Sequence, residues 1–477
     1  MSGTEALSNS RARLALFVIA AAQFMVIMDT SIIGVALPKI QQDLGFSQES
    51  LSWVFNAYVV AFGGLLLLGG RLSDLFGAKR MFSTGWVILS VGSLLAGMAG
   101  EVWVELLGRG VQGVGAALIA PSSLTLLMML FGSDPKQLTK AFAVYGAAAP
   151  AGGTAGVFLG GVITEYISWP WVFYVNIPVA ILILALTPRL MPAGPSTRGS
   201  IDVVGALTVT AGLAGIVYGI VRAPEVGWGS AQTWLVLAGA AVLLGVFLAL
   251  QAKRAQPLMR LSIFRTPNLA GANIAQLLLG AAWVPMWFFL NLYLQQVLGL
   301  QAFAGGAALL PMTMMIMVMM VLVAPKAIAK FGPKNMIITG LLVLAAGLVV
   351  LSFVRPTGNF WIDVLPASLV SAVGMGLAFI PSLGMALSSA RPEEGGLAAG
   401  IVNTSYQVGS ALGLAAMTAV AAAATGAAGD ADALTDGFSA AFIGAAAIAV
   451  VGAVLTVALI KMPRSTETTS DTAQSVS

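Results

Sequence analysis

Cysteine and histidine are both absent from this 477-residue chain, and charged residues are scarce at 9%. Without cysteine there are no disulfides and no thiolate metal sites. Without histidine, proton chemistry falls to carboxylates, assisted by Tyr, Lys or Arg. An ordinary soluble domain carries about 25% charged residues, and the shortfall is too large for an unusual globular core. No GxxxxGK[ST] loop occurs, so ATP is not the direct energy source. No paired carboxylates are spaced for a metal, which, with histidine and cysteine missing, argues against a membrane enzyme such as an acyl or isoprenyl transferase.

What is present is apolar. Hydrophobic residues make up 58% of the chain and recur in stretches of about 20, the length that crosses a bilayer. The chain reads as an all-α membrane protein with runs at roughly 14–38 (α1), 51–70 (α2), 81–100 (α3), 103–131 (α4), 139–163 (α5) and 171–188 (α6). A pair follows at roughly 201–221 (α7) and 231–251 (α8). The last six fall at roughly 268–296 (α9), 306–325 (α10), 335–354 (α11), 361–387 (α12), 397–424 (α13) and 438–460 (α14).

The formal charge of +4 does not indicate a nucleic-acid partner, because the basic residues sit in short loops between apolar runs. With the N terminus in the cytoplasm, only Lys39, Arg222 and Arg355 fall outside and Arg109 falls within α4. Every other Lys and Arg then falls on the cytoplasmic side, as the positive-inside rule requires. Both termini are expected inside a cytoplasmic (inner) membrane, with no cleaved signal. The expected divisions are a tail at 1–13, a six-helix bundle at 14–188 and a linker carrying α7 and α8 at 189–267. A second six-helix bundle follows at 268–461, then a tail at 462–477.

An internal repeat supports that division. The loop after α2 reads Gly70-Arg71-Leu72-Ser73-Asp74-Leu75-Phe76-Gly77-Ala78-Lys79, followed by Arg80. The loop after α10 reads Pro325-Lys326-Ala327-Ile328-Ala329-Lys330-Phe331-Gly332-Pro333-Lys334, so bases and Phe-Gly align and only the acid is lost. Repeated halves are common among transporter folds. Asp74 can pair across the corner or cap the neighbouring helix.

Charge inside the membrane is costly and usually functional. Asp29 lies 16 residues beyond Arg13, or roughly 24 Å along a helix, which places it in the outer half of the bilayer. Arg109, some six residues into α4 from the outside, shares that depth, and Glu105 precedes it at the favourable i,i+4 spacing. Asp29 is expected to carry a proton that Arg109 tunes. Glu105 either joins that chemistry or makes a local rim pair with Arg109.

Gly152, Gly156 and Gly160, with Gly161 beside them, give α5 a small-residue face for close packing in lipid, and Ser405, Gly409 and Gly413 repeat it on α13. Static helix packing is the plain reading of both faces. Candidate lining for a central cavity is Asn56 and Tyr58 on α2 and Gln112 on α4. On α9 the candidates are Asn273, Gln276, Trp283, Trp287, Asn291 and Gln295, and on α13 Asn403, Tyr406 and Gln407. Helix–helix hydrogen bonding is the alternative for each. The methionines at 312, 314, 315, 317, 319 and 320 point in several directions and mostly fill space.

These motifs resemble the major facilitator superfamily, and within it the fourteen-helix drug:proton antiporters of the EmrB/QacA type. The loop from Gly70 to Arg80 is similar to the family signature G-x-L-a-D-r-x-G-r-k. Asp29-Thr30-Ser31-Ile32-Ile33-Gly34-Val35-Ala36-Leu37-Pro38 resembles D-x-x-I-v-n-V-A-L-P, and Arg109 to Ala117 resembles R-x-x-Q-G-x-G-a-A. Trp169, Trp171, Phe173, Asn176 and Pro178 match the opening of α6, and Asn403, Thr404, Gln407, Gly409 and Gly413 match α13. The α5 motif departs: Gly156-Val157-Phe158-Leu159-Gly160-Gly161 lacks the usual proline, and Pro150 lies six residues earlier.

The resemblance implies two six-helix bundles plus an inserted two-helix hairpin, rocking around a midplane cavity, with α5 and α13 at the interface between the bundles. It implies a monomeric secondary transporter, not an enzyme, that exports small lipophilic or cationic organic molecules against inward-moving protons, with no cofactor. It makes the Gly70-to-Arg80 loop a conformational switch. A proton-coupled importer or uniporter on the same fold is the alternative.

Overall fold

Lipid offers the backbone no hydrogen-bond partner, so a crossing segment must satisfy itself as a helix. The computed structural model describes residues 9–193, 201–254, 256–389, 395–426 and 430–461. The C-terminal tail, Arg198, Arg391 and Arg464 lie outside the described residues. Among the described residues there are fourteen helices and no strand: α1 Asn9–Leu44, α2 Trp53–Phe76, α3 Ala78–Gly97, α4 Val102–Phe131, α5 Pro135–Tyr166, α6 Trp171–Leu190, α7 Val203–Val226 and α8 Ala231–Lys253. The rest are α9 Leu269–Val297, α10 Ala302–Phe331, α11 Pro333–Leu351, α12 Phe360–Ser389, α13 Gly395–Thr425 and α14 Ala431–Leu459.

Thirteen of these are long and apolar enough to cross a membrane on composition alone. The exception is α3, diluted by Lys79, Arg80 and four hydroxyl residues. It sits in lipid tolerably because Ser83, Ser90 and Ser93 donate to Lys79, Trp86 and Leu89 carbonyls four residues back, at 2.8–3.1 Å. In α10 a π-turn over Met319–Val323 precedes Pro325, which has no N–H to donate.

The repeat read from the loops extends through the packing. Gly77 and Gly332 close the two Phe-Gly corners at φ +90° and +79°, a region that favours glycine. In the first half α3 meets α4 backbone to backbone: a Cβ on Gly92 would lie 2.5 Å from Gln112 N, and one on Gly115 2.6 Å from Leu89 N. In the second half α11 meets α12 the same way, with Gly340 2.5 Å from Ala378 N and Gly374 2.3 Å from Leu344 N.

Helices α5 and α13 both stand at the seams between the bundles, as the resemblance implies, but their small-residue faces turn inward. Cβ atoms on Gly152, Gly156 and Gly160 would meet carbonyls of Phe24, Met28 and Ile32 on α1, at 2.3–2.9 Å, inside the first bundle. Gly409 and Gly413 likewise press on Leu277 and Ala281 carbonyls of α9, inside the second, at 1.9 and 2.3 Å. Only Gly161 crosses between bundles, 2.9 Å from Ala302 O on α10. The two bundles meet along α2 with α13 and α5 with α10.

Helices α7 and α8 form a hairpin, and α7 lies against both α2 and α13. At its base Asp202 is buried and accepts from Gly205 N at 2.8 Å, Gln251 Nε2 at 2.8 Å and Arg254 Nη1 at 3.0 Å. The face holding the loops after α2, α6, α8 and α10 is the basic face. Lys39, Arg222 and Arg355 lie at the opposite face.

Candidate functional site

Helices α1 and α4 present Asp29 and Arg109 to one another. Arg109 Nη1 donates to Asp29 Oδ2 at 2.9 Å, with the two side chains 0% and 1% exposed. Arg109 Nε donates to the Val54 carbonyl of α2 at 2.9 Å, and Nη1 also reaches Gln112 Oε1 at 2.7 Å. Asp29 Oδ1 accepts from Gln112 Nε2 at 3.1 Å and from Asn176 Nδ2 at 2.6 Å. Ser93 Oγ accepts from the same two amides, at 2.9 and 3.2 Å. A buried ion pair repays its desolvation only when its remaining polar atoms are engaged, and every oxygen of Asp29 is.

Rings cover the guanidinium. Its central carbon lies 4.6 Å from the Tyr58 ring centroid and 5.9 Å from that of Phe173. Five polar atoms around the pair nevertheless lack hydrogen-bond partners: Arg109 Nη2, Tyr58 Oη, Asn176 Oδ1 and both carboxyl oxygens of Glu105. Glu105 is 0% exposed and makes no salt bridge with Arg109, so the rim-pair alternative is not what forms.

Several candidates assigned to a cavity are packed away. Gln112 belongs to the Asp29 network and Tyr58 to the guanidinium, while Asn56 is buried with neither amide atom partnered. Asn273 donates to Leu269 O and accepts from Ser405 Oγ at 3.0 Å, and Gln276 Nε2 reaches Phe379 O at 3.1 Å. Asn291 bonds back to Trp287 O at 2.8 Å. Trp283 is buried within α9, and Trp287 presses on α1, where a Cβ on Gly34 would lie 2.0 Å from its ring. On α13, Asn403 is exposed, the Tyr406 ring stacks edge-on to Phe379 at 5.5 Å, and Gln407 packs against Gly63 of α2.

Sequence reasoning missed Ser93 as a site residue and carried Asn176 only as part of a motif. Asn176 begins the longer segment of α6 just past a break at Val175, which turns its amide toward Asp29.

The signature loop lies at the basic face. Gly70 faces Pro121, whose Cβ would lie 3.8 Å from a Cβ placed on the glycine. Asp74 is exposed in the last turn of α2 and feels the charge of Arg71. Arg71 Nη2 donates to Gln256 Oε1 at 2.7 Å, which ties the loop to the segment after the hairpin. Lys79 Nζ donates to Pro188 O at 2.8 Å in the last turn of α6, where a cation is favoured, and Arg80 is exposed.

Hydrogen bonds that the described residues make between the bundles lie toward the opposite face. Gln295 Nε2 donates to Val35 O at 3.0 Å, and Gln296 Nε2 to Gln41 Oε1 at 2.7 Å. Gln48 Nε2 donates to Gln296 Oε1 at 3.1 Å, and Phe303 N to Glu165 Oε2 at 2.6 Å. Above this closure is a cavity of about 520 Å³ walled by Gln41, Gln42, Gln48, Gln295 and Gln296 over Phe289 and Phe438.

Comparison with known proteins agrees with this architecture. Residues 19–414 match the Major Facilitator Superfamily. The chain is 37% identical over 463 residues to the cephamycin export protein CmcT of Amycolatopsis lactamdurans, spanning 96% of this chain and 94% of that one. It is 37% identical over 416 residues to the puromycin resistance protein pur8 of Streptomyces alboniger, spanning 86% and 82%. The crystal structure of the nucleoside transporter NupG superposes with a TM-score of 0.66 at 15% identity, covering 94% of this chain and 100% of that one, and shows the shared fold. By its sequence match, its relatives and its helix arrangement, this multi-pass membrane protein is a transporter, not an enzyme, and belongs to the Major Facilitator Superfamily.

Proposed function

We propose that this chain is a monomeric proton-coupled antiporter. It exports small lipophilic molecules of the antibiotic or secondary-metabolite class across the cytoplasmic membrane by alternating access. The observation that carries the reading is Asp29: a carboxylate 1% exposed, paired with a guanidinium and held by two amides at membrane depth. An acid placed so is poised to bind and lose a proton as its shielding changes. The proton gradient is then the energy source, and no cofactor is required. The names of the export and resistance relatives support the substrate class.

The positive-inside rule assigns the basic face to the cytoplasm. Bundles bonded toward the opposite face then correspond to a state closed to the outside. Asn403, Tyr406 and Gln407 on α13 remain candidate substrate contacts near its seam with α2. In everted vesicles, an imposed inside-acid gradient should drive dye accumulation that a protonophore abolishes. The chain has no native cysteine, so single cysteines at Ser262 and Ser230 report orientation, the first labelling from the cytoplasm and the second from outside. Accumulation indifferent to the gradient would leave a uniporter instead.

Asp74 is assigned to conformational switching, since it stands at the basic face, away from the Asp29–Arg109 pair. Asp74→Asn should stop transport while equilibrium binding of the dye stays close to the parent's. Loss of binding in a normally folded variant contradicts the assignment.

A further inference from the structure

Two acids and one guanidinium occupy the centre of the first bundle, and only one acid is paired. Helix α4 enters from the opposite face at Val102, so Glu105 in its first turn stands between that face and the Asp29–Arg109 pair. It is 0% exposed and neither carboxyl oxygen has a hydrogen-bond partner. A carboxylate buried without a donor is strongly disfavoured, whereas the neutral acid is tolerated. The charged groups acting on Glu105 are Arg109 on its own helix and Asp29 on α1. Tyr58 on α2 is the remaining titratable group against the guanidinium, and α3 contributes the neutral Ser93.

Arg109 has the means to change partners. Its Nε–Val54 bond of 2.9 Å can serve as a pivot, its Nη1 holds Asp29, and its Nη2 is unpartnered. Glu105 lies one helical turn away, at the spacing where such pairs form.

We propose that Arg109 alternates between Asp29 and Glu105, and that Glu105 relays the proton from the opposite face to Asp29. The proposal rests on the proton-coupled reading above. In the arrangement described, Asp29 is the carboxylate and Glu105 the neutral acid. Glu105 releases its carboxyl proton, Asp29 accepts it, and the guanidinium crosses to the new Glu105 carboxylate. One acid is neutral and one ionised before and after, Arg109 keeps its proton, and the net charge of the three is unchanged. The transfer itself therefore creates no uncompensated charge in the membrane. Glu105 regains a proton from the opposite face, and Asp29 discharges toward the basic face.

The test uses the full chain and the variants E105Q, E105D and D29N. Infrared difference spectra of wild type against E105Q at neutral pH should show a protonated carboxyl band belonging to Glu105. A carboxylate band in its place overturns the proposal. Proton-driven export should fall about a hundredfold in E105Q and recover substantially in E105D, while substrate exchange without a gradient persists in both. Gln keeps the volume and breaks no hydrogen bond. Should E105Q nonetheless melt early, the same band in wild type against E105D, shifted rather than lost, carries the test. If D29N abolishes coupled export while E105Q exports like its parent, the relay is wrong and the proton-coupled reading stands. If no variant alters the dependence on the gradient, the proton-coupled reading itself fails, and the relay with it.

Discussion

Asp29→Asn should abolish proton-driven export and spare passive substrate exchange. The replacement keeps the shape of the side chain, and its amide oxygen can still accept from Gln112 and Asn176 at 2.6–3.1 Å, while the charge pair with Arg109 is lost. What disappears is the group that can bind and release a proton. A carrier locked in the neutral form can still move substrate down its gradient but cannot draw on the proton gradient. Asp29→Glu keeps the acid one methylene further out and should retain part of the activity with an altered pH profile. The measurement is substrate-induced proton release from purified protein across pH. Release from Asp29→Asn equal to the parent's would move the carrier elsewhere.

Arg109→Ala should damage the fold as well as the transport. Removing one partner of a buried ion pair leaves the other uncompensated, at a cost of about 3–5 kcal/mol. Here the guanidinium also donates to Val54 O and Gln112 Oε1, so three donations are lost together. Lysine cannot replace them, because a point ammonium lacks the planar fork. Thermal unfolding in detergent should therefore show Arg109→Ala and Arg109→Lys melting well below the parent. Adding Asp29→Asn to Arg109→Ala removes the stranded charge and should recover much of the stability without restoring coupled transport. A double variant no more stable than Arg109→Ala alone would mean that packing, not charge, governs the site.

Much of this was legible before any coordinates. Apolar runs located the fourteen helices because lipid thickness fixes the length of an apolar run, although α3 falls short of the hydropathy of a membrane span on composition alone. They placed the helix ends less well: α1 continues to Leu44, past Pro38 and through Gln41 and Gln42, because a helix does not stop where the lipid does. Counting residues from Arg13 gave the depth of Asp29, and counting into α4 gave that of Arg109. Depth does not say which helices are neighbours, so the amide of Asn176 and the hydroxyl of Ser93 could not be placed beside them. The same gap explains the glycines. Spacing by four shows that Gly152, Gly156 and Gly160 share a face, but only the fold shows that the face meets α1. Polar residues on α2, α4 and α9 read alike whether they bond a neighbouring helix or line a cavity, and most turned out to bond or pack.

The inserted hairpin breaks an equivalence that the repeat would otherwise impose. The two seams between bundles, α2 with α13 and α5 with α10, occupy corresponding places in the two halves. Helix α7 lies along the first, where a Cβ on Gly64 would come 2.6 Å from Thr210 Oγ1, and among the described residues neither inserted helix packs substantially against the second. One flank of the molecule is thus splinted and the other left open to the acyl chains. A lipophilic molecule dissolved in the bilayer would meet the inserted pair at one boundary between the bundles and bare α5 and α10 at the other.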